Sequence, residues 1–349
     1  MDKYKENQIF ILVDTNTHRL CLPGFLYELR RKYNWIIPES NILTISSGEE
    51  HKSIETIQLL WHFLSNANAT RKALLINLGG GVITDLGGFV ASTYRRGIDY
   101  INVPTTLLSM IDAGFGGKTG FDFEGLKNAI GTFYTPKDVW IIPKFLKTLP
   151  REEILSGYAE LIKHALLSNQ TVFDEVIEKI ELFLHIDSVS EGDLSACERM
   201  IWDSIHVKQH LVNIDPTERS IRKSLNFGHT FGHALEELSF LKGKPMRHGY
   251  AVMYGLLAEL YLSSEIKGLS ISVVNKIIDC IKSYYGTILY NNDDFDTIYE
   301  YMRHDKKNAS ADEINFTLLS DVGCYELDNT IPKDFIERSM IFINSIYSI

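Results

Sequence analysis

The sequence predicts an α/β domain followed by a mainly α-helical one. Three observations predict this. Short apolar runs alternate with helical patterns from Gln8 to Ile142. A glycine-rich turn, NLGGGVITDLGG, joins one such run to one such helix. Beyond Pro150 the helical period takes over and strand signals become few. Strands alternating with helices imply a parallel sheet covered on both faces. The boundary falls at Thr148–Arg151, giving domains of residues 1–149 and 150–349.

In order, Gln8–Val13 (QIFILV) predicts a first strand and Leu22–Tyr33 a helix. Ile42–Ile45 predicts a short strand, and Ser53–Ala67 a helix whose apolar positions Ile54, Ile57, Leu60, Trp61 and Leu64 share a face. Ala73–Leu78 reads as a buried strand running into Gly79-Gly80-Gly81, with a helix over Thr84–Arg96 stopped by Gly97. Ile98–Val103 is a strand ended by Pro104; Thr105 or Thr106 can cap the next helix, and Val139–Ile142 is the last strand of the domain. The second domain reads as helices over Glu152–Ser168, Thr171–Ile186, Asp193–Asn213, Thr230–Leu241, His248–Lys267, Ser272–Tyr285 and Asp294–Arg303, with one strand at Ile314–Leu319.

Composition excludes several classes. The chain has 349 residues, 45% hydrophobic and 23% charged, which is ordinary for a globular enzyme. A net charge of -10 argues against nucleic acid as a partner, because a phosphodiester backbone selects a basic surface. Cys21, Cys197, Cys280 and Cys324 are widely spaced without a C-x-x-C, so a reduced, cytoplasmic protein is expected. The N-terminus has no signal-peptide pattern, and no run of eighteen apolar residues suggests a membrane span.

The turn at Gly79-Gly80-Gly81 sits between a strand and a helix, where close backbone approach and free N–H groups suit a phosphate. It lacks the G-x-G-x-x-G spacing, since Thr84 stands at the last glycine, and it lacks the G-K-[ST] of a Walker loop. A tight strand–helix turn remains the other reading. A second cluster, Asp112-Ala-Gly-Phe-Gly-Gly-Lys-Thr-Gly120, is followed by Lys127-Asn128; it reads as a substrate loop or as a flexible, solvated one.

Glu160 in SGYAELIKHALL, His229 and His233 in NFGHTFGHALEE, and His248 in MRHGYAVMYG each sit in an apolar helical pattern. One carboxylate with imidazoles is a donor set for zinc. His229 and His233 share a helix face, and Lys163 lies three residues from Glu160. Spacing leaves open which three residues ligate, and each has a bland alternative as an ion pair, a structural histidine or a cap. Lys163, Lys208 and Arg222 add cations, which beside a metal point to an anionic, phosphorylated substrate. The late charge run Asp305-Lys306-Lys307-Asn308 reads by default as solvated.

In this order, SGEEHKS, NLGGGVITDLGGFVASTYRRG, VPTTLLSMIDAGFGGKTG, LKNAIGTFYTP, SGYAELIKHALL, RKSLNFGHTFGHALE, RHGYAVMYGL and HDKKN resemble the dehydroquinate synthase family of sugar phosphate cyclases. The resemblance extends from Ser47 to Asn308. It implies an α/β N-terminal Rossmann-like domain that binds NAD and an all-α C-terminal domain that holds Zn2+, with Co2+ an alternative. It implies conversion of 3-deoxy-D-arabino-heptulosonate 7-phosphate to 3-dehydroquinate and phosphate, in the shikimate pathway to aromatic amino acids. The metal ligands it implies are Glu160, His229 and His248, with His233 a substrate-site group. Asp112, Lys118, Asn128, Lys163, Lys208, Arg222, Asn226 and Lys306 match substrate or catalytic positions, and Arg96 one supplied by a neighbouring subunit of a homodimer. Asp14, Asn16, Glu49, Lys52, Gly80, Gly81, Val82, Asp85, Thr105 and Thr106 match the NAD site, with Lys118, Lys127, Phe145 and Thr148 beside them.

Two departures stand out. Gly114-Phe115 replaces a small polar residue and a small aliphatic one, and Gly88 stands where Thr or Ala is commoner. The alternatives are another sugar phosphate cyclase and a glycerol-dehydrogenase-like metal-dependent alcohol dehydrogenase. Lys118 and His233 favour the dehydroquinate branch of the cyclases, and the cation set disfavours a simple alcohol as substrate.

Overall fold

The computed structural model describes residue 4 and residues 8–124, 126–288, 290–304 and 314–346. The chain divides into two compact units, Met1–Glu153 with Ile186–Ser188, and Ile154–His185 with Val189–Ile349. The strands are β1 (Ile9–Asp14), β2 (Ile42–Ile45), β3 (Leu74–Gly79), β4 (Asp99–Pro104), β5 (Lys118–Phe123), β6 (Leu126–Phe133), β7 (Asp138–Val139), β8 (Asn315–Asp321) and β9 (Cys324–Thr330). Among the described residues, no helix is long and apolar enough to cross a membrane.

The first unit is built on a five-stranded parallel sheet in the order β2-β1-β3-β4-β7. Side chains alternate between its faces, as strand geometry requires. Ile9, Ile11, Val13, Leu74, Ile76 and Leu78 fill one core, and Phe10, Leu12 and Leu75 the other. Helices α1 (Thr15–Leu20), α2 (Leu22–Tyr33), α3 (Ile54–Asn66) and α4 (Gly81–Thr93) follow the strands. α2 buries Leu22, Phe25 and Leu29 on the first face; α3 buries Ile57, Leu60 and Leu64 on the second, at the spacing of a helical stripe.

α4 starts at Gly81, three residues before the expected Thr84, because the glycine turn itself forms the first helical turn and Thr84 N–H donates to Gly80 O at 3.1 Å. It also ends early, in a 3-10 turn over Tyr94–Arg96 where Arg95 (φ 50°) and Arg96 (φ 66°) are left-handed ahead of Gly97. The helix lies tight on the sheet: a Cβ on Gly87 would stand 1.9 Å from Asn77 Oδ1. A Cβ on Gly88 would stand 2.5 Å from Thr119 Cγ2, which gives the departure at Gly88 a packing reason.

The glycine-rich segment after Asp112 is more ordered than a loop. Ser109–Ala113 forms a π-helical turn, and β5 and β6 pair as an antiparallel hairpin. Gly114 closes the π turn with its N–H on Ser109 O at 2.9 Å; a Cβ there would approach that same oxygen to 2.6 Å. The expected strand Val139–Ile142 shrinks to Asp138–Val139, although Trp140 N–H still donates to Asn102 O.

The second unit contains most of α5 (Arg151–Leu166), then α6 (Gln170–Glu178), α7 (Ile180–Leu184), α8 (Glu191–Ile214), α9 (His229–Leu241), α10 (His248–Lys267), α11 (Ile271–Cys280), α12 (Phe295–Arg303) and α13 (Lys333–Ser345). The expected helix Thr171–Ile186 is two helices, broken at Lys179 (φ -104°, ψ 15°). The expected helix Ser272–Tyr285 changes to a π turn after Cys280. β8 was expected, but its antiparallel partner β9 and the helix α13 were not; the unit is helical with one hairpin. α10 is buried around nearly its whole circumference and packs against α9, α11, α13 and β8, so it is the central helix.

Candidate metal centre and nucleotide site

α5 is buried at every position from Ile154 to Leu166. Its polar residues therefore face protein. Glu160 is 0% exposed and Lys163 is 1% exposed. Such groups persist in an interior only when charge compensates charge. Lys163 Nζ lies 2.5 Å from Glu160 Oε2. The other carboxylate oxygen, Oε1, faces His229 Nε2 at 3.4 Å and His248 Nε2 at 3.3 Å. Burial pushes the Glu160 carboxyl up, but Lys163 and the two imidazoles outweigh it and hold it well below the carboxylate range.

His229 opens α9 and His248 opens α10, so each stands at a helix start facing α5. Gly249 N–H donates to Ser156 Oγ at 3.1 Å, and a Cβ on Gly249 would collide with the Ser156 carbonyl, so α10 touches α5 by its backbone at this point. That contact sets how close His248 comes to Glu160. On its other ring nitrogen, His248 Nδ1 lies 2.9 Å from Glu236 Oε2. Burial would lower the His248 imidazole, but Glu236 and Glu160 raise it to about 10.

Glu160, His229 and His248 fit a divalent cation. Two atoms held tetrahedrally by one zinc at about 2.0–2.1 Å lie about 3.3–3.4 Å apart. The two separations from Glu160 Oε1 fall in that range. They are longer than the roughly 2.7–2.9 Å of a charge-assisted N–H···O bond, and both Glu160 oxygens are buried without a hydrogen bond of regular geometry. A second set with close donor atoms, His233, Glu236 and His248, adjoins the first. His233 is half-buried, its ring centroid 5.4 Å from His229 and 6.2 Å from His248. Three of the four residues singled out in the sequence thus meet on one oxygen, and the fourth borders them. Glu236 was missed, although it follows His229 and His233 at i+7 and i+3 on one helix face.

Among the described residues, the other predicted cations of this unit, Lys208 and Arg222, are buried. Lys208 sits on α8, and Arg222 on the 3-10 turn Ile221–Asn226 that packs against α8. Arg222 donates to Pro216 O at 2.6 Å. Asp215 holds the turn: its carboxylate accepts the N–H groups of Arg219 at 3.0 Å, Ser220 at 2.7 Å and Arg222 at 3.3 Å. The Arg219 bond is the chief cause of its depressed pKa. Asn226 Nδ2 donates to Glu218 Oε1 at 2.9 Å. Lys306 lies outside the described residues, as do Asp305, Lys307 and Asn308.

In the first unit several of the predicted nucleotide residues lie at the carboxyl ends of the strands. Asp14 ends β1 and caps α1, accepting Asn16 N–H and Thr17 N–H at 2.8 Å each. Gly80, Gly81 and Val82 follow β3, and Thr105 and Thr106 follow β4; the Thr106 hydroxyl accepts Ser109 N–H at 3.1 Å. β1 leads to β2 on one side and β3 lies on the other, so the direction of winding reverses between β1 and β3. Ligands of open α/β sheets bind outside such a reversal. Beyond β2, Lys52 is buried and lies 2.7 Å from Asp85 Oδ2, 2.5 Å from Asn128 Oδ1 and 4.0 Å from Glu49 Oε1. The structure thus joins Asn128 to Glu49, Lys52 and Asp85, where the resemblance had counted it with the substrate residues. Lys118, Asn128 and Thr148 are exposed, and Asp112, Lys127 and Phe145 half-buried.

A buried amide relay supports the loop that carries Asp112 and Lys118. Asn77 Nδ2 donates to Asn102 Oδ1 at 2.9 Å, and Asn102 Nδ2 donates to Gly114 O at 3.0 Å. Arg96 is exposed.

A parallel α/β unit with its polar groups at a winding reversal, followed along the chain by a helical unit with a buried Glu–His–His cluster, fits the class of metal-dependent enzymes that bind a nucleotide. Comparison with known proteins gives the particular family. Residues 42–156 match the 3-dehydroquinate synthase N-terminal family and residues 157–308 the 3-dehydroquinate synthase C-terminal family. The chain is 43% identical over 349 residues to a 3-dehydroquinate synthase of Parabacteroides distasonis, covering 100% of this chain and 95% of that one. It is 37% identical to one of Campylobacter jejuni, covering 95% and 91%. Among solved structures, 2-epi-5-epi-valiolone synthase of Streptomyces hygroscopicus with NAD+ and Zn2+ bound shares the fold at a TM-score of 0.84 and 24% identity, over 96% of this chain and 91% of that one. Glycerol dehydrogenase of Schizosaccharomyces pombe shares it more distantly, at a TM-score of 0.65 and 12% identity over 99% and 85%. The chain belongs to the 3-dehydroquinate synthase family.

Proposed function

We propose that this chain converts 3-deoxy-D-arabino-heptulosonate 7-phosphate to 3-dehydroquinate and phosphate, as a homodimer in the cytoplasm. The observation that carries the reading is the convergence of His229 and His248 on one oxygen of Glu160 while Lys163 occupies the other. Family membership supplies the reaction, and this cluster supplies the chemistry it needs.

Zinc, when bound by Glu160, His229 and His248, supplies a Lewis acid for the alcohol and carbonyl oxygens of the sugar. NAD, when bound at the ends of β1, β3 and β4, supplies a hydride acceptor that is restored in each cycle. A ketone at C5 acidifies the proton at C6, and loss of that proton expels phosphate. The departing phosphate is itself the base, so the elimination asks no carboxylate base of the chain. Reduction at C5, ring opening and an aldol closure complete the product.

The chain's own groups bind and orient. Lys163, Lys208, Arg222 and Asn226 hold the substrate's carboxylate and phosphate; a guanidinium suits bidentate contact and an ammonium a point charge. His233, beside the ligand imidazoles, moves the proton of the hydroxyl being oxidised. Asp112, Lys118, Asn128 and Lys306 complete the substrate contacts. Asp14, Asn16, Glu49, Lys52, Asp85, Thr105 and Thr106, with Lys127, Phe145 and Thr148, hold the nucleotide. Arg96, exposed and left-handed, contacts phosphate in the partner subunit.

The test is the identity of the product. Purified protein with the heptulosonate phosphate, NAD and zinc should yield 3-dehydroquinate by NMR. A different carbocycle would assign it to another cyclase branch, and an uncyclised keto sugar would assign it to the alcohol dehydrogenases.

A further inference from the structure

The imidazole of His248 is held from both sides. Nε2 faces Glu160 Oε1 at 3.3 Å and Nδ1 faces Glu236 Oε2 at 2.9 Å. A neutral imidazole has one N–H and one lone pair, so whichever nitrogen donates leaves the other to ligate. Glu236 is 4% exposed, an ordinary position for an acid only if the charge has a fixed partner. The Nδ1 separation is that of a charge-assisted hydrogen bond, whereas the Nε2 separation suits two ligands of one cation.

Glu236 is itself fixed. It lies within α9, one turn beyond His233 and two beyond His229. At the same turn Ser239 Oγ donates to Glu236 O at 2.6 Å and accepts Met246 N–H at 2.9 Å. That second bond pins the connection between α9 and α10 two residues before His248. The helix that carries one ligand, His229, thereby controls both the entry of α10 and the ring of the other.

We infer that Glu236 is a positioning residue for the metal centre: its carboxylate accepts a hydrogen bond from Nδ1–H of His248, fixing Nε2 as the ligating atom and aiming the ring at Glu160 and His229. This rests on the metal reading above. A carboxylate behind a ligating histidine both sets its tautomer and raises its basicity. The competing assignment is that Glu236 ligates the metal directly with His233 and His248, since those donor atoms also lie close together.

The experiment measures zinc affinity by chelator competition on purified wild-type protein, Glu236→Gln and Glu236→Ala, with the visible spectrum of each cobalt-loaded form. Wild type should bind one zinc tightly. Glu236→Ala should bind it about 10- to 100-fold more weakly. Glu236→Gln, which keeps a neutral acceptor, should lie between them, and all three cobalt spectra should keep the same band positions. Thermal melting of the metal-free proteins shows whether each variant folds; if Glu236→Ala does not, the Gln variant still has to show weaker binding. Equal zinc affinity in Glu236→Gln and wild type overturns the inference and leaves the metal centre intact. Loss of the wild-type cobalt bands in Glu236→Gln overturns it in favour of direct ligation. A wild-type protein that binds no zinc overturns the metal reading and this inference together.

Discussion

The two oxygens of Glu160 serve different partners: Lys163 Nζ lies 2.5 Å from Oε2, while His229 and His248 face Oε1. In the proposed site one carboxylate thus joins a fixed cation to the two imidazoles, and the two roles should separate by mutation. Lys163→Ala should keep its zinc, measured by atomic emission, because Oε1 and both imidazoles remain. Its kcat should fall by at least about 10²-fold, the usual loss when a preorganised charge is removed from a reacting centre. Zinc loss in this variant would show that Lys163 holds the ligand in place and has no separate role.

Glu160→Ala and His248→Ala each remove a proposed ligand, so both should purify without stoichiometric zinc and show no turnover. Added zinc should fail to restore activity at concentrations that saturate the wild type. Full activity with no bound metal in either variant would contradict the assignment.

Gly88 and Thr119 are packed as a pair. Gly88→Ala places a methyl 2.5 Å from Thr119 Cγ2. Overpacking of this kind costs about 1–3 kcal/mol. Thr119→Ser removes the opposing methyl and keeps the hydroxyl that pairs with Thr132. The double variant should recover most of the loss in urea unfolding, helped by roughly 1 kcal/mol of helix propensity from Gly to Ala. Additive destabilisation would show that the contact is not the cause.

Asp215 gives a pH signature. Its folded-state pKa is depressed, chiefly by the Arg219 N–H, with the Ser220 and Arg222 N–H groups adding to it. Its stabilisation is therefore fully present above the ordinary aspartate value of about 3.9 and is lost as pH falls through the lower folded value. The stability gap between wild type and Asp215→Asn should be constant from neutral pH to about pH 5 and close as acid protonates the carboxylate. A gap that widens in acid would reverse the sign of this argument. At neutral pH Asp215→Asn should also raise KM more than it lowers kcat, because the turn it anchors carries Arg222 and Asn226.

Much of this was legible before the structure. The strand–glycine–helix unit around Gly79 is set by local sequence, because a buried strand and a tight helix start leave strong signals. Glu160 and Lys163 were visible as an i,i+3 pair, but only the burial of α5 on every side shows that they are not a surface ion pair. Which imidazoles meet Glu160 depends on how α5, α9 and α10 pack, and a spacing of four residues cannot encode that. Glu236 was readable on the His229 face, yet an acid on a helix reads as solvated until its neighbour across the interface is known. The β5–β6 hairpin escaped because β6 is mostly exposed and lacks the alternation that marks a half-buried strand. The helix α13 had a usable signal in Pro332, which precedes its first turn.

The most direct test of the central claim tracks phosphate and NADH together. Purified protein, the heptulosonate phosphate, zinc and a sub-stoichiometric amount of NAD should release many equivalents of phosphate per NAD with no lasting absorbance from NADH. That result requires a hydride taken and returned within one active site. NADH accumulating in step with substrate loss, without phosphate, would contradict the account and place the chain among the simple metal-dependent alcohol dehydrogenases.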